Sequence, residues 1–188
     1  MKRLLLIFIL TICFQSWTKA DDIRDLEIEG ISVGDSLLTH FTENEIIDNI
    51  SYNYEETNKK FTSVDIYNLS NNYEFIQFHY KTKDKNYEIY SIDGIFSWDK
   101  STSFCNAERL KINNEISSTF TNLTYKETLN TDMVSRRGFM DVNEYYFSNG
   151  DFIQLTCYKY KDKYSDYVNH GRLGIVTKEL DDWIVTIK

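Results

Sequence analysis

The 188-residue sequence has no proline and only three histidines. Its histidines, His40, His79 and His170, lie far apart along the chain, and no two have the spacing that is typical of zinc ligands. No acidic cluster follows the Asp-x-Asp-x-Asp-Gly order of a calcium loop, and no glycine-rich segment matches a phosphate-binding loop. The sequence therefore predicts no metal site and no cofactor.

Long apolar runs are absent after residue 20, whereas residues 1–20 have the parts of a cleaved export signal. Two basic residues precede an apolar run over residues 4–13, and Thr18-Lys19-Ala20 offers small residues for cleavage. That run is shorter than the roughly 20 residues that cross a bilayer. Ile12 precedes Cys13 where a lipoprotein anchor needs a small residue. We therefore predict export to the periplasm or beyond and no transmembrane segment in the mature chain.

Basic residues are too few to balance the acidic ones. Removing residues 1–20 takes away three basic residues and no acid, so the formal charge moves from -8 to -11. Such a surface repels nucleic acid and anionic lipid, and we expect neither as a partner. Residues 21–188 have the length of one domain with a real core. A composition that is 41% hydrophobic and 15% aromatic argues against disorder.

Only two cysteines remain in the mature chain, Cys105 and Cys157. An exported protein with an even number of cysteines favours a disulfide. Cys105 is in phase with Ile116 on a predicted helix over residues 103–120, and Cys157 is in phase with Leu155 on a predicted strand, so both sulfurs point toward apolar surroundings. We therefore predict a Cys105–Cys157 disulfide; two buried thiols are the alternative.

The chain is otherwise rich in strand signals. Tyr, Phe, Ile and Val concentrate in short segments that polar turn clusters separate, and Asn149-Gly150 is a strong hairpin signal. We interpret Asp93-Gly94 as a bulge within one strand rather than a hairpin turn. The final segment, residues 179–187, is either a short helix or a last strand. The predicted strands are residues 60–68, 73–82, 87–98, 122–129, 142–147, 151–161 and 172–178.

Strands that follow one another with short turns form an antiparallel sheet. We therefore predict an α+β fold with a mostly antiparallel sheet and helices packed on one face. A helix followed by strands occurs twice along the chain. We therefore expect residues 21–188 to form a single domain, and two helix-plus-meander halves, residues 21–100 and 101–188, are one way to build it.

A capping box marks the start of a helix near the N-terminus. In Thr42-Glu43-Asn44-Glu45, the Thr42 hydroxyl can accept from the Glu45 amide while the Glu45 carboxylate reaches back. Phe41 and Ile46 form the matching hydrophobic staple. The sequence thus predicts a helix from Glu43, preceded by a single turn over residues 35–40.

That turn contains Gly34-Asp35-Ser36-Leu37, which resembles the signature of the secreted GDSL-type, or SGNH, ester hydrolases. The resemblance implies Ser36 as nucleophile, an oxyanion hole, and an Asp-x-x-His pair near the end of the chain. However, no Gly-x-Asn-Asp stretch exists, and Asp166 and His170 are one residue too far apart. A serine without a placed base and oxyanion donors is not activated. The hydrolase that uses Ser36 is therefore the alternative function rather than the first.

Aromatic residues alternate along the predicted strands, so both faces of a strand carry rings. One face must form the core. The other either binds a protein, peptide or glycan, or is covered by helices or left solvated. These aromatics are Tyr73, Phe75, Phe78, Tyr80, Tyr87, Tyr90, Tyr145, Tyr146, Tyr158 and Tyr160.

The order of a helix followed by a meander resembles the small envelope domains of the SmpA/OmlA and β-lactamase-inhibitor-protein type. The sequence is also similar to a group of small exported proteins of unknown function from free-living marine bacteria. The stretches that carry this likeness are residues 28–38, 92–95 leading to Cys105, 148–151 leading to Cys157, and 177–183. The likeness implies an exported α+β domain and transfers no activity.

From the sequence we thus expect an exported protein without catalytic activity, periplasmic or secreted, that acts in binding or in association with the cell envelope.

Overall fold

The computed structural model of the chain describes residues 22–52, 59–97, 102–133, 135–161 and 168–187, and the predicted export signal lies outside them. Within these ranges the chain forms ten strands and three α-helices. Their bounds are β1 (Glu27–Ile28), β2 (Ile31–Ser32), α1 (Glu43–Asp48), β3 (Ile50–Tyr52), β4 (Phe61–Tyr67), β5 (Phe75–Lys81), β6 (Ile89–Ser97), α2 (Thr102–Thr119), β7 (Thr124–Asp132), β8 (Gly138–Tyr146), β9 (Phe152–Tyr160), β10 (His170–Val176) and α3 (Lys178–Thr186).

The N-terminal segment is built from local hydrogen bonds, as its sequence predicts. A two-residue turn, Glu29-Gly30, has positive φ at both positions and closes the small β1–β2 hairpin. The predicted capping box of α1 is confirmed. The Thr42 hydroxyl oxygen accepts from the Glu45 amide at 3.3 Å, and the Glu45 carboxylate accepts from the Thr42 amide at 2.8 Å. The buried Ile46 then directs α1 onto the core.

Eight of the strands form one antiparallel sheet in the order β3-β4-β5-β6-β10-β9-β8-β7. The α+β prediction is confirmed. The chain follows α1 with the meander β3 to β6 and α2 with the meander β7 to β10. The last strands of the two meanders, β6 and β10, pair with each other at the centre of the sheet. Consequently, the central seam of the sheet is made between residues far apart in sequence.

The two faces of the sheet are distinguished by the helices that pack on them. Cys157 of β9 is bonded to Cys105 of α2, so residues in phase with Cys157 form the α2 face. Phe152 of β9 has the opposite phase and clusters with Leu180 and Trp183 of α3, so its side of the sheet is the α3 face. Helix α1 packs on the α2 face.

The position of α3 differs from the prediction of helices on one face only. Thr177 caps α3, its hydroxyl oxygen accepting from the Leu180 amide at 3.4 Å, and the capped segment resolves the open choice between helix and strand. Leu180 and Trp183 bury their side chains against Phe61 and Phe152. Large apolar side chains lie on the α3 face near the start of β9, and α3 shields them from solvent.

Helix α2 is held over one side of its face. The predicted Cys105–Cys157 disulfide is present, with the two Cα atoms 6.1 Å apart and a sequence separation of 52 residues. In the chain-entropy model, a loop of that length stabilises the fold by about 4 kcal/mol. Arg109 donates to Asn143 at 2.6 Å and to Glu127 at 2.7 Å, so α2 is also bound to β8 and β7.

The prediction of a bulge at Asp93-Gly94 is wrong. Both residues keep regular register with β5 and with β10, and the shift in the β5–β6 pairing occurs instead between His79 and Tyr80. Gly94 has a packing role: a Cβ atom there would lie 2.4 Å from the Tyr73 ring, which covers this part of β6. The glycine therefore marks a close ring contact rather than a backbone irregularity.

We expect Gly94→Ala to lower the free energy of unfolding by about 1–3 kcal/mol, because the new methyl group overlaps the Tyr73 ring. In a Tyr73→Ala background the same substitution should cost less than half as much. Urea denaturation of the four proteins of this cycle measures both costs. Equal costs in the two backgrounds would show that the ring is not the reason for the glycine.

Candidate functional site

Ser36 has a structural role at the start of a 3₁₀ turn, Leu37–Thr39. Its hydroxyl oxygen accepts from the Leu38 amide at 3.2 Å, and its hydroxyl donates to the Asn86 carbonyl. Its backbone forms an isolated antiparallel bridge with Glu88, just before β6. The side chain therefore caps the turn and attaches it to the sheet.

His170 does not approach Ser36. Ser36 pairs beside Glu88 and His170 pairs with Ser97, so the length of β6 separates them. At about 3.4 Å per residue, that separation is on the order of 30 Å. Asp166, the other residue of the hydrolase pattern, lies outside the described residues. Ser36 and His170 are therefore not brought together.

A row of polar side chains crosses the α3 face at mid-sheet. Neighbouring members are bonded: Gln77 donates to Asp65 at 2.8 Å, and Gln154 donates to Glu144 at 3.1 Å. Polar side chains at a solvated sheet edge need not align in this way. A row of them across the centre of the sheet gives the α3 face a polar floor. In register from β4 to β7, the polar side chains are Asp65, Gln77, Asp93, Gln154, Glu144 and Lys126, and Gly174 occupies the β10 position between Asp93 and Gln154.

Asp93 is the buried centre of this row, with no exposed side-chain surface. Its carboxylate accepts from the Arg172 Nε at 2.8 Å across the β6–β10 seam. Gly174 lies directly opposite Asp93, and a Cβ atom there would be 2.4 Å from the Asp93 Oδ1. Gly174 on β10 therefore leaves room for the Asp93 carboxylate, to which Arg172 on the same strand donates.

His79 lies against the same carboxylate. Its Nδ1 is 2.8 Å from the Ser91 hydroxyl, which donates to Asp93 Oδ2 at 3.4 Å. Burial lowers the pKa of His79 from 6.5 to about 4, and Asp93 only partly opposes this shift. The imidazole is thus neutral near pH 7. The charge of Asp93 is therefore balanced by Arg172 and not by His79.

Arg172 connects the buried pair to solvent. Burial alone would lower the pKa of its guanidinium, but Asp93 and Tyr158 outweigh that effect and raise it. The side chain is 32% exposed and lines two adjoining cavities of about 420 and 500 Å³. Arg172 therefore presents a permanent cation where the two cavities meet.

The larger of these cavities follows β9 from α3 to the β7–β8 connection, and we name it the β9 groove. Gln154 and Thr156 of β9 lie on its floor, and apolar side chains from β8 and α3 also line it. The Thr156 hydroxyl is buried, with 1% of the residue exposed, and it has no hydrogen-bond partner among the described residues. Apolar side chains along the groove include Met140, Val142, Phe152 and Ile184.

The predicted alternation of aromatic residues divides between the two faces. Phe78 and Tyr145 belong to the core beneath α1 and α2. Tyr158 and Tyr160 line the cavities of the α3 face. The His170 ring stacks on Tyr158, with centroids 4.6 Å apart and planes 29° from parallel. One face of the Tyr158 ring is therefore already covered.

Arg172, Asp93 and Thr156 were not predicted as site residues from the sequence. Arg172 carried a signal, because a charged residue in an otherwise apolar strand between Gly171 and Gly174 is unusual unless it has a buried partner. Asp93 was assigned to a bulge instead. Nothing in the sequence indicates that the Thr156 hydroxyl is left without a partner, because this depends on non-local packing.

The chain matches no protein-family model, no curated protein and no solved structure. The candidate site is therefore assigned from the geometry of this chain alone. None of the helices in the described ranges is long and apolar enough to cross a membrane. The same ranges contain no group of three or more His, Cys, Asp or Glu residues that could bind a metal ion.

We expect acid to destabilise the protein through His79. The unfolded chain binds a proton at His79 below about pH 6.5, whereas the folded chain does so only below about pH 4. The unfolded state thus binds more protons in this window, and the free energy of unfolding falls as the pH decreases through it. The His79 contribution between pH 7.5 and 4.5 should be about 2–3 kcal/mol.

Urea denaturation at several pH values measures this loss. His79→Gln should show a smaller loss on acidification than the wild type, and the same substitution at the exposed His40 is the control for the loss of an imidazole elsewhere. A His79→Gln variant with the full wild-type loss would show that carboxylates alone cause the acid sensitivity.

Proposed function

We propose that the protein is an exported, non-catalytic binding protein that holds an extended peptide in the β9 groove. The observation that carries this proposal is the Thr156 hydroxyl, which is buried on the groove floor without a partner among the described residues. A buried unpaired hydroxyl costs free energy in the unliganded protein. Binding a ligand that has hydrogen-bonding groups at this point recovers that cost.

The groove offers what an extended peptide needs. It runs along the nine residues of β9, so its long axis suits a strand-like ligand. Gln154, Thr156 and Arg172 supply donors and acceptors for the polar backbone. Met140 and Val142 line the groove with apolar surface for side chains, and methionine adapts to different shapes.

A glycan fits this face less well. Sugars pack on the open faces of aromatic rings, but His170 already covers one face of Tyr158. Phe75 contacts Tyr67 at the far side of the face in a tilted arrangement, with ring centroids 5.2 Å apart. These rings therefore offer edges and hydroxyl groups more than open faces.

Export is part of the proposal. The export signal predicted in residues 1–20 delivers the chain to an oxidising compartment, where the Cys105–Cys157 disulfide persists. We place the protein in the periplasm or outside the cell, and we assign it no nucleic-acid partner.

Panning a phage-displayed library of random dodecapeptides on the oxidised mature protein tests this function. We expect enriched sequences whose synthetic peptides bind with 1:1 stoichiometry in calorimetry. Failure to enrich any sequence over an unrelated coated protein contradicts the proposal. Selective binding of a chito-oligosaccharide in the same assay, without peptide binding, also contradicts it and favours the glycan.

Thr156→Val links the groove to binding, because it removes the hydroxyl and keeps the side-chain shape. Without ligand we expect it to raise the free energy of unfolding by about 1 kcal/mol, since an unpaired buried hydroxyl is lost. It should weaken binding of the selected peptide about three- to tenfold, since a hydrogen bond is lost.

Thr62→Val is the matched control for this variant. Thr62 is equally buried in the sheet, but its hydroxyl pairs with the Thr82 hydroxyl at 2.9 Å. The control should therefore lower the free energy of unfolding by about 1 kcal/mol and leave peptide affinity unchanged. Wild-type peptide affinity in Thr156→Val would contradict the proposed role of the groove.

The competing function is an ester hydrolase with Ser36 as nucleophile. We expect no hydrolysis of p-nitrophenyl acetate above background by the wild type, and we expect Ser36→Ala to lower the free energy of unfolding by about 1 kcal/mol, because the cap is lost. Ser36→Thr should retain most of that stability, since it keeps the hydroxyl. Wild-type turnover that Ser36→Ala abolishes would establish the hydrolase instead.

A further inference from the structure

Helix α2 is attached to its sheet face on one side only. Its contacts through Cys105 and Arg109 all go to β7, β8 and β9. Asn113 continues this line by accepting a hydrogen bond from the Tyr145 hydroxyl on β8 at 2.5 Å. The side of α2 that faces the centre of the sheet has no such attachment among the described residues. The helix is thus displaced toward the β7 edge.

This displacement leaves a cavity of about 780 Å³ over the centre of the α2 face, which we name the α2 cavity. Its volume lies within the range of roughly 300–1,000 Å³ that small-molecule sites occupy. Ile153, Leu173 and Ile175 form its floor on β9 and β10, and Ile112 and Ile116 of α2 form its roof. The interior is therefore mainly aliphatic and lies on the opposite side of the sheet from the β9 groove.

The opening of the α2 cavity is acidic. Glu27 of β1 and Glu108 and Glu115 of α2 line it, whereas Lys111 is the one cationic residue among the described residues of its lining. The Lys111 ammonium lies 4.0 Å from the Glu108 carboxylate. The carboxylates of Glu27 and Glu115 remain, so the net charge of the opening is negative. The charges of Glu108 and Glu115 also influence the wall of the cavity. Burial is the main reason that the pKa of the Tyr73 hydroxyl in this wall is raised, and nearby carboxylates including Glu108 and Glu115 raise it further.

We propose that the α2 cavity binds a small amphiphile that has an apolar body and a cationic amine. The aliphatic floor and roof bury the body, and the acidic opening attracts the amine. A fatty acid places its carboxylate against like charges, and a neutral alcohol gains no electrostatic attraction. A second copy of this negatively charged chain would meet charge repulsion at the same opening.

Three probes of one chain length test the charge preference: n-decylammonium and n-decanoate below their micellar concentrations, and n-decanol below its solubility limit. Calorimetry with the oxidised mature protein should give 1:1 binding of n-decylammonium. Its affinity should exceed that of n-decanoate about tenfold or more at low salt, and the difference should shrink with added salt. Equal affinities, reversed order or no saturable binding would overturn the proposal.

Two pairs of variants locate the site. Glu108→Gln combined with Glu115→Gln should reduce the preference for n-decylammonium over n-decanoate to within about threefold, whereas exposed Glu88→Gln, away from the cavity, should leave it unchanged. Ile112→Trp fills the cavity and should abolish binding of all three probes. Leu110→Trp adds the same ring on the exposed side of α2, where Leu110 is 61% exposed, and should not change binding.

Circular dichroism and a thiol assay confirm that each variant is folded and oxidised before binding is compared. If Ile112→Trp fails to fold, the variant of the two glutamates at the opening still decides the outcome. Unchanged selectivity in the Glu108/Glu115 double variant would contradict the assignment of the amine. A dimer in sedimentation that n-decylammonium does not dissociate and Ile112→Trp abolishes would show that the cavity is a self-association surface instead.

Discussion

One buried ion pair crosses the seam on which the sheet depends. Asp93 lies on the last strand of the first meander and Arg172 on the last strand of the second, so their 2.8 Å contact joins two units of local sequence. A buried carboxylate that loses its cation costs about 3–5 kcal/mol, more than most single contacts contribute. The pair adds a side-chain contact to the backbone ladder between β6 and β10. His79 is neutral mainly because it is buried, and the nearby Arg172 cation lowers its pKa further.

The two faces of the sheet follow from how the helices are attached. The disulfide and Arg109 bind α2 near the β7 edge, which leaves aliphatic surface uncovered at the centre of that face. Helix α3 covers only the start of β9 on the other face, which leaves a polar floor open beside it. The fold thus has two unlike cavities on opposite faces of the sheet. The α2 cavity is mainly aliphatic with an acidic opening, whereas the β9 groove combines a polar floor and apolar side chains with the partly exposed cation of Arg172.

Local physics made much of this fold predictable. The capping box at Thr42 involves four consecutive residues, and the phase of Cys157 follows from alternation along one strand, so both were correctly predicted from sequence. Non-local packing was not predictable in the same way. Gly94 resembled a bulge because its reason, the Tyr73 ring, lies 21 positions earlier in sequence. The Thr156 hydroxyl likewise has no sequence signal, because its lack of a partner results from several strands that pack together.

The register of β10 determines which residues line each of the two cavities. Side chains alternate, so Arg172 faces the β9 groove while Leu173 faces the α2 cavity, and a one-residue slip would exchange them. Two glycines on opposite faces prevent that slip. Gly171 lies under the Phe96 ring, where a Cβ atom would be 2.1 Å from the nearest ring carbon, and Gly174 admits the Asp93 carboxylate. Because a slip would drive side chains into both partners, the same two contacts that bind β10 to β6 also determine which residues each cavity receives.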